Sequence, residues 1–475
     1  MKVDLQALRR EGRTPAVPCE LMLADDRCLR IVQWLRILPG KRLVGRAELD
    51  GQVVLAKVFI ARASQRHWQR EAQGLQALAT AKLSTPEVIL SQALPGGGHL
   101  LCTRFLEGSL TLAEVWDGLA EQSPASTAAV DLLSQALRAI AEMHQAGLTQ
   151  ADLHLGNFLQ QSDRLFLIDG DAVQTVCPSQ PLDAVDAERN LAVFFAQLDS
   201  DWDTQIERLL VEYLSVNAAR ALNPDRLSAL IDKHRQHRLE DWLAKALRDC
   251  SAFLARRNWW RFSVAVRDQS VDLAPLLADP DAPFASKPSL KDGGSSSVTR
   301  LQMAGRSVVI KRYNIKGLGH WLSRFWRPSR AWHAWLAGQR LRFLGIATPA
   351  PLAMIESRFG PLRRRAWLLN EFCPGQDLRS LFDPTGQTLP PDEQLQALLR
   401  CFQQLAQARI SHGDCKATNL LWHEGQIWLI DLDAMQAHAT DASWQRAWSK
   451  DRARLIRNWP EDTKLRDWLS SHLPD

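Results

Sequence analysis

The spacing of apolar residues predicts one short series of elements that occurs twice. Apolar side chains recur three and four positions apart in LLSQALRAIAEMHQAGL (132–148) and in LQALLRCFQQLAQARI (395–410), which is the period of an amphipathic helix. Two short apolar runs, RLFLID (164–169) and QIWLID (426–431), are typical of strands. In both places a polar loop lies between the helix and the strand, and such loops often carry functional side chains.

The polar loops themselves are copies of one another. DLHLGNFLQQSDRLFLIDGDAV (152–173) aligns without a gap with DCKATNLLWHEGQIWLIDLDAM (414–435). The identical positions include Asp152, Asn157, Ile168, Asp169 and Asp171, which match Asp414, Asn419, Ile430, Asp431 and Asp433. The chain therefore contains two copies of one unit, with a period much longer than that of a solenoid repeat.

Upstream of each loop the two copies share further features. An apolar run that predicts a strand contains a lysine, Lys57 in VVLAKVF and Lys311 in SVVIKRY. A predicted turn with glycines precedes each lysine, and an apolar strand followed by an acidic residue comes after it. These residues are Gly40 and Gly45 with Glu107 in the first copy, and Gly293 and Gly294 with Glu371 in the second.

This combination of residues suits phosphoryl transfer from ATP, which needs a cation on the phosphates, ligands for magnesium and a carboxylate near the attacking hydroxyl. An aspartate, an asparagine five residues later and a second aspartate before a hairpin follow the spacing of the protein-kinase catalytic loop. We therefore expect Asp152 and Asp414 to be catalytic and Lys57 and Lys311 to bind phosphates. Oxygen ligands for Mg²⁺ would come from Asn157 and Asp169 in the first copy, and from Asn419 and Asp431 in the second.

The two copies differ in the partner available to the lysine. In the first copy Glu71 lies on the predicted helix HWQREAQGLQALA (67–79), where it is placed to pair with Lys57. In the second copy Ala334 occupies the aligned position. Either Glu356 positions Lys311, or the second copy is weakened.

The segments resemble the lipopolysaccharide kinase family, bacterial kinase-like enzymes that phosphorylate heptose or Kdo sugars of the inner core. The similar segments include HGDCKATNLL with LIDLDAM, LKDGGSSSVTR with VVIKRYN, LGIATPAPLAMIE, LPGKRLVGRAEL and ADLHLGNFL. The resemblance implies an α+β fold of two protein-kinase-like domains in tandem, 1–275 and 276–475, each with a small β-rich N-lobe and a helical C-lobe. It also implies ATP- and Mg²⁺-dependent phosphorylation of a heptose hydroxyl on a lipid-linked core oligosaccharide.

Some positions depart from the family pattern. Neither glycine-bearing turn is a full GxGxxG, and the first copy has Gln150 and Ala151 where the second has His412 and Gly413. These departures leave open whether both halves are active. A scaffold with one silent domain therefore remains an alternative. Two enzymatic alternatives also share parts of the motif: an aminoglycoside-type phosphotransferase and a Ser/Thr protein kinase.

The length of 475 residues fits two or three domains, and the Pro-, Asp- and Ser-rich segment 271–289 suggests a boundary near residue 275. The eight cysteines show no CxxC pair, which fits a reducing compartment. We find no signal-peptide pattern and no apolar run of membrane-spanning length. We therefore expect a cytoplasmic protein.

Charge is concentrated in the segment from Arg300 to Arg365, which has fourteen lysines or arginines and one acidic residue, Glu356. Four tryptophans are interleaved with these charges: Trp321, Trp326, Trp332 and Trp335. Such a segment suits peripheral contact with the anionic inner face of the bacterial inner membrane, or binding of a phosphorylated glycolipid, although a solvated helix face is an equally good interpretation. No nucleic-acid-binding module accompanies the charge, so we do not expect a nucleic-acid partner.

Overall fold

The structure is a computed structural model that describes residues 2–218, 221–286, 291–293, 296–314 and 327–474. The chain divides into two compact units, Met1–Gln236 and His237–Asp475. Each unit combines a seven-stranded sheet with a set of helices, so the fold is α+β. The eight cysteines are all free thiols.

The first unit opens with a sheet that is antiparallel except for its first pair, in the order β1-β2-β3-β4-β5-β7-β6. Its strands are β1 (Lys2–Val3), β2 (Cys19–Met22), β3 (Cys28–Leu38), β4 (Arg42–Leu49), β5 (Gln52–Phe59), β6 (Val88–Leu94) and β7 (Gly98–Arg104). Five shorter strands follow: β8 (Leu110–Thr111), β9 (Leu148–Gln150), β10 (Phe158–Gln161), β11 (Arg164–Leu167) and β12 (Val173–Thr175). They form a three-stranded sheet, β11-β10-β8, and a pair, β12-β9.

The helices of the first unit include the two that were predicted from the sequence. The described helices are α1 (Leu5–Arg10), α2 (Ser64–Thr80), α3 (Leu112–Asp117), α4 (Thr127–Gln145), α5 (Ala184–Phe195) and α6 (Ile206–Val216), and α7 (Pro224–Lys245) continues past the boundary between the units. The buried stripe of α4 includes Leu133, Leu137 and Ile140, which are fully buried in one apolar cluster with Phe158 and Leu191. This burial explains why the sequence pattern identified α4.

The second unit has a matching sheet in the order β13-β14-β18-β19-β17-β16-β15. Its strands are β13 (Phe253–Arg257), β14 (Arg261–Val266), β15 (Lys291–Gly293), β16 (Ser296–Met303), β17 (Arg306–Tyr313), β18 (Pro351–Phe359) and β19 (Leu362–Glu371). The shorter strands are β20 (Gln376–Asp377), β21 (Ile410–Ser411), β22 (Leu420–His423), β23 (Gln426–Leu429) and β24 (Gln436–Ala437). They form the sheets β20-β22-β23 and β21-β24.

The helices described in the second unit are α8 (Ala274–Ala278), α9 (Ala282–Ser286), α10 (Arg330–Phe343), α11 (Leu378–Leu381), α12 (Asp392–Gln407), α13 (Asp441–Ile456) and α14 (Lys464–His472). Helix α12 corresponds to α4 and buries Leu398, Phe402 and Leu405. The strand order β3-β4-β5-β7-β6 of the first unit recurs as β15-β16-β17-β19-β18. The internal duplication in the sequence is therefore also a duplication of structure.

The boundary between the units differs from the one expected near residue 275. Strand β14 pairs with β18 over five residues, for example Val264 with Met354. Leu273 and Leu276 are buried with Val308 in a cluster of the second unit. Because buried strands need partners for their backbone groups, β13 and β14 belong to the second unit. The boundary accordingly lies between Gln236 and His237.

Candidate functional site

Lys57 in β5 forms an ion pair with Glu71 in α2. The Glu71 side chain is fully buried, and its carboxylate also accepts hydrogen bonds from the backbone N–H groups of Gly170 (3.2 Å) and Asp171 (3.3 Å). A buried carboxylate needs this kind of complete pairing. The pairing expected between Lys57 and Glu71 is therefore present, and it also links α2 to the loop after β11.

Close backbone contact brings α2 against this loop. A Cβ atom on Gly74 would overlap the carbonyl oxygen of Gly170, and a Cβ atom on Gly170 would overlap the carbonyl oxygen of Glu71. Both positions therefore need glycine for steric reasons. The two glycines allow Glu71 to lie within hydrogen-bond distance of the loop.

Asp169 begins the loop in a left-handed backbone conformation, with φ of 67°. Its Oδ1 atom lies 3.7 Å from Lys57 Nζ. Burial alone would raise the pKa of Asp169, but the positive charges of Lys57 and Arg42 outweigh burial and hold this pKa below its usual value. The carboxylate is therefore ionised at neutral pH.

The residues predicted to form the catalytic loop of the first unit lie next to Asp169. Asn157 is buried, and its side-chain amide donates to the backbone oxygen of Asp152 (2.6 Å). Gln150 donates from Nε2 to the carbonyl oxygens of Ile168 (2.8 Å) and Asp169 (3.1 Å). The Asp152 side chain is 76% exposed. The structure thus brings Asp152, Asn157 and Asp169 together, with the Asp152 carboxylate open to solvent.

Three other predicted residues of the first unit lie further from this group. Gly40 is in the turn between β3 and β4, with φ of 67°. Gly45 is not in the turn but inside β4, opposite Ala56. Glu107 follows β7, is exposed, and pairs with Arg46 at 2.5 Å. In the part of the chain that the structure describes, no side-chain hydrogen bond or ion pair joins any of the three to Lys57 or Asp169.

In the second unit Lys311 in β17 bonds to the metal-site candidate Asp431 and also to Asp433, whose Oδ2 atom is 2.7 Å from Lys311 Nζ. Asp433 is nearly buried, with 7% of its side chain exposed. It accepts from the Tyr313 hydroxyl (2.6 Å) and from Arg330 (2.6 Å). Asp433 is therefore a fixed carboxylate beside the lysine.

The hypothesis that Glu356 positions Lys311 is wrong. Glu356 is buried and binds Ser329, Arg358 and Arg363 instead. Ala334, which replaces the helix glutamate, is also buried. The carboxylate beside Lys311 comes from the loop after β23 and not from a helix or from β18.

The second catalytic loop has more cations than the first. Asp414 lies 3.0 Å from Lys416 Nζ and 2.5 Å from Arg454 Nη2, and 24% of its side chain is exposed. Asn419 donates from its amide to the backbone oxygen of Asp414 (2.9 Å). Asp431 again has a left-handed conformation, with φ of 60°. Burial opposes ionisation of Asp431, but Lys311 outweighs it and lowers the pKa.

His412 has the same position in the second loop as Gln150 in the first. Its Nε2 atom lies 3.0 Å from the carbonyl oxygen of Ile430, which matches Ile168. Burial lowers the pKa of His412, so the neutral ring donates this bond. Asp451 in α13 accepts from the backbone N–H groups of His412 (2.6 Å) and Gly413 (3.0 Å). Gln150 and His412 are thus different side chains that bond to equivalent carbonyl oxygens, those of Ile168 and Ile430, and hold the two loops in place.

The remaining predicted residues of the second unit lie away from Lys311 and Asp431 or outside the described residues. Glu371 ends β19, is part-exposed and lies 3.5 Å from Arg306. Gly293 pairs with Ser296 in the sheet. Gly294 lies outside the described residues.

Several residues at these sites were not predicted from the sequence. Arg42 lies 3.5 Å from Glu71, and Arg330, Tyr313, Lys416, Arg454 and Asp451 have the contacts given above. Lys416 could have been found from its place two residues after Asp414. The other contacts join positions far apart in the chain, and only a three-dimensional structure reveals them.

The basic, tryptophan-bearing segment is only partly described. Trp321, Trp326 and Arg324 lie outside the described residues. Trp335 is fully buried and Trp332 is partly buried, so these two tryptophans pack in the core and do not form a surface patch. No helix in the described ranges is long and apolar enough to cross a membrane.

The oxygen ligands available in the two units decide whether these sites fit Mg²⁺. Within the described ranges no group of three or more His, Cys, Asp or Glu residues could hold a metal ion. Mg²⁺ does not require such a group, because it commonly keeps several waters and binds one or two carboxylates together with substrate phosphates. The Oδ1 atom of Asp169 is buried without a hydrogen-bond partner among the described residues. Such an oxygen fits a metal ligand.

Comparisons with known proteins relate both units to one family. The sequence model of the "Lipopolysaccharide kinase (Kdo/WaaP) family" matches residues 51–210 and 288–470. A structure titled "WaaP in complex with acyl carrier protein" is 19% identical, with 43% of this chain and 88% of that chain covered and a TM-score of 0.34. A structure of vaccinia related kinase 3 is 12% identical, with 38% and 58% covered and a TM-score of 0.27.

No curated protein sequence matches the chain. The family match nevertheless covers more than half of the chain and includes one stretch in each compact unit. Both stretches contain the lysine, the catalytic-loop aspartate and the asparagine described above. The chain therefore belongs to the lipopolysaccharide kinase (Kdo/WaaP) family and is an ATP-dependent kinase of lipopolysaccharide core biosynthesis.

Proposed function

We propose that the chain consists of two kinase-like domains in tandem, one in each compact unit, that phosphorylate heptose hydroxyls of the lipopolysaccharide inner core. The observation that carries this proposal is the repeated arrangement of a strand lysine, a catalytic-loop aspartate and a left-handed aspartate. Each unit presents these groups on the same series of elements. The family of the chain supplies the class of acceptor.

In this proposal the exposed carboxylate of Asp152 accepts the proton of the attacking hydroxyl in the first unit, and Asp414 does so in the second. The carboxylate orients the hydroxyl and takes its proton as the hydroxyl oxygen bonds to the γ-phosphorus of ATP and the bond from this phosphorus to the leaving ADP breaks. Lys57 and Lys311 bind phosphate oxygens of ATP. Asn157 and Asn419 hold the backbone of the catalytic loops in place through their side-chain amides.

Asn157 with Asp169, and Asn419 with Asp431, would hold Mg²⁺. Each asparagine amide nitrogen already donates to a backbone oxygen, so its side-chain oxygen remains available as a ligand. The ion neutralises negative charge that develops on the phosphate oxygens during transfer. Lys311 contacts Asp431 in this structure. With Mg²⁺ on Asp431, Lys311 would bind the phosphates of ATP while Asp433 keeps the lysine in place.

We further propose that Asp433 is the residue that positions Lys311, in place of the helix glutamate of the first unit. Asp433 is 2.7 Å from Lys311 and is itself fixed by Tyr313 and Arg330. In the first unit the matching residue, Asp171, faces Arg70 and His67 instead. The lysine thus has a carboxylate partner in both units, so we expect both to be catalytically competent on different acceptor positions.

The test uses Asp152→Asn and Asp414→Asn, which remove the base and preserve side-chain size. Mass spectrometry of the core oligosaccharide is compared among strains that contain wild-type protein, either variant, or no protein. We expect each variant to lose one phosphate and to retain the other. If Asp414→Asn removes every phosphate and Asp152→Asn removes none, the first unit is not catalytic.

The same measurement tests the class of acceptor. Phosphate on Kdo in place of heptose would correct the proposed sugar. An unchanged core in the deletion strain would overturn the lipopolysaccharide acceptor and favour an aminoglycoside-type or protein substrate. Purified protein supplied with ATP, Mg²⁺ and isolated core oligosaccharide then shows whether transfer is direct.

A further inference from the structure

Two β-turns of the second unit bring three aromatic side chains together at the surface. Trp259 and Trp260 lie in the turn between β13 and β14, and Phe359 lies at the end of β18. Their side chains are 59%, 63% and 48% exposed. Among the tryptophan, tyrosine and phenylalanine residues that the structure describes, these three are the most exposed. We call these three residues the aromatic tip.

Ring packing and backbone hydrogen bonds fix the arrangement of the aromatic tip. The Phe359 ring centroid lies 6.0 Å from that of Trp259 and 5.3 Å from that of Trp260. The carbonyl oxygens of Trp259 and Trp260 accept from the backbone N–H groups of Gly360 (2.8 Å) and Arg358 (2.7 Å). Gly360 has φ of 59°, and a Cβ atom there would lie 3.0 Å from the Trp259 ring. The two turns are thus held to each other by hydrogen bonds and close packing.

Positive charge surrounds the aromatic tip. The segments 253–266 and 357–370 contain seven arginines and no acidic residue. Arg358 and Arg363 pair with Glu356, and Arg365 pairs with Asp281. The others include Arg256, Arg257 and Arg364, which are exposed. Within the described ranges these three have no acidic partner among the ion pairs.

We propose that the aromatic tip inserts into the headgroup region of an anionic lipid bilayer, with Arg256, Arg257 and Arg364 bound to lipid phosphates. Tryptophan is favoured at the boundary between water and acyl chains because its ring is amphipathic, and arginine near an anionic surface adds attraction. The three aromatic residues are far fewer than the roughly 20–30 residues per side of a stable protein interface. A membrane surface requires only such a small insertion.

The role of this insertion rests on the proposed function, because a lipid-linked acceptor would be held at that surface. The tryptophans of the aromatic tip also differ from those that the sequence suggested for membrane contact. The tryptophans Trp332 and Trp335 of the basic segment pack in the core, whereas Trp259 and Trp260 lie outside that segment. The arginines from 358 to 365 are common to both.

The test is sedimentation of the full-length protein with vesicles of phosphatidylcholine alone or with one quarter phosphatidylglycerol. The double variant Trp259→Ala/Trp260→Ala should lower the partition coefficient on anionic vesicles by about tenfold, because two large apolar surfaces no longer leave water. Arg256→Glu/Arg257→Glu should lower it on the order of tenfold at low salt and have a small effect on neutral vesicles. Arg208→Glu/Lys233→Glu, at exposed positions of the first unit, is the charge-matched control.

Unfolding is excluded by melting temperature, which should be unchanged because both tryptophan side chains are mostly exposed. If wild type fails to pellet with anionic vesicles, or if the tryptophan variant pellets as well as wild type, the inference is overturned. Loss on charge reversal alone would instead indicate a basic surface for an acidic protein, which also overturns insertion. Asp414→Asn should bind vesicles normally, so failure of the kinase proposal and failure of membrane binding are distinguishable.

Discussion

Asp171 and Asp433 follow the left-handed aspartates at the same place in the two units, yet their partners differ. Asp171 contacts Arg70 at 3.2 Å, whereas Asp433 contacts Lys311 at 2.7 Å. The same residue type therefore contacts α2 in the first unit and Lys311 in the second. The effect of each aspartate on the KM for ATP can be measured by substitution.

Asp433→Ala should raise the KM for ATP of the second unit by about tenfold, because Lys311 loses the carboxylate that orients it. The measurement is made in an Asp152→Asn background so that the first unit is silent. Adding Ala334→Glu should restore part of the loss by recreating the helix carboxylate of the first unit. As a control, Asp171→Ala is measured in an Asp414→Asn background and should change the KM for ATP of the first unit little. Equal KM values for Asp433→Ala and wild type would show that Asp433 does not position the lysine.

His144 provides a pH-dependent contribution to stability. It is fully buried in α4 between the Tyr213 hydroxyl and Asn190, each at 3.0 Å, and burial lowers its pKa to about 4. Between about pH 6.5 and 4 the unfolded chain binds a proton on His144 that the folded chain does not, so stability falls as pH falls. The loss reaches on the order of 3 kcal/mol at pH 4.

Denaturant unfolding of the full chain at pH 7.5 and pH 5 checks this expectation. His144→Gln keeps groups that can bond to Asn190 and Tyr213 but does not titrate. The variant should lose less stability than wild type between the two pH values. An identical loss in both proteins would assign the pH dependence to other groups.

At the scale of elements, helix α2 and the loop after β11 depend on two glycines in contact. Gly74→Ala should destabilise the first unit by about 1–3 kcal/mol, because the added methyl group must displace the backbone of Gly170. The displacement should also separate Glu71 from Lys57 and weaken ATP binding by the first unit. Calorimetry measures the first effect, and the KM for ATP of the first unit in an Asp414→Asn background measures the second.

Gly118→Ala is the matched control for this prediction. Gly118 ends α3 without a positive φ, and its nearest neighbours to a Cβ atom are 3.5 Å away. This substitution should therefore cost little stability. If Gly74→Ala and Gly118→Ala behaved alike, the close approach of α2 to the loop would not limit the packing.

The elements that carry a strong periodic pattern were predictable from the sequence. Helices α2, α4 and α12 and the strands with Lys57 and Lys311 lie where the pattern placed them, because one face of each is buried. The partner of Lys311 was not predictable, because Asp433 lies in a loop distant in sequence. Gly45 was expected in a turn but lies within β4, since the turn closes at Gly40.

At the scale of the whole molecule, both units should bind nucleotide with magnesium. ATP with Mg²⁺ at 100 times the dissociation constant should stabilise each competent unit by about 2.7 kcal/mol. Thermal shift of the wild type is compared with ATP in EDTA and with Asn157→Ala/Asn419→Ala. We expect the shift to be largest for wild type with Mg²⁺. No shift at millimolar ATP would indicate that both pockets are silent.

The duplication was visible in the sequence, but the boundary between the units was not. The segment near residue 275 has the composition of a linker, yet Leu273 and Leu276 are buried. Strands β13 and β14 have no counterpart in the first unit, so comparison of the two copies could not reveal them. Their pairing with β18 decides which unit includes them.

The added strand β14 has a further effect on the sheet. In the first unit β6 ends the sheet, and the register shift between Val88 and Leu90 interrupts its pairing pattern. In the second unit β14 covers the corresponding strand, β18. Deleting the β13–β14 hairpin would therefore leave the hydrogen-bonding groups of a long buried strand unpaired, which favours edge-to-edge aggregation. The hairpin that presents the tryptophans thus also pairs an otherwise open edge of the sheet.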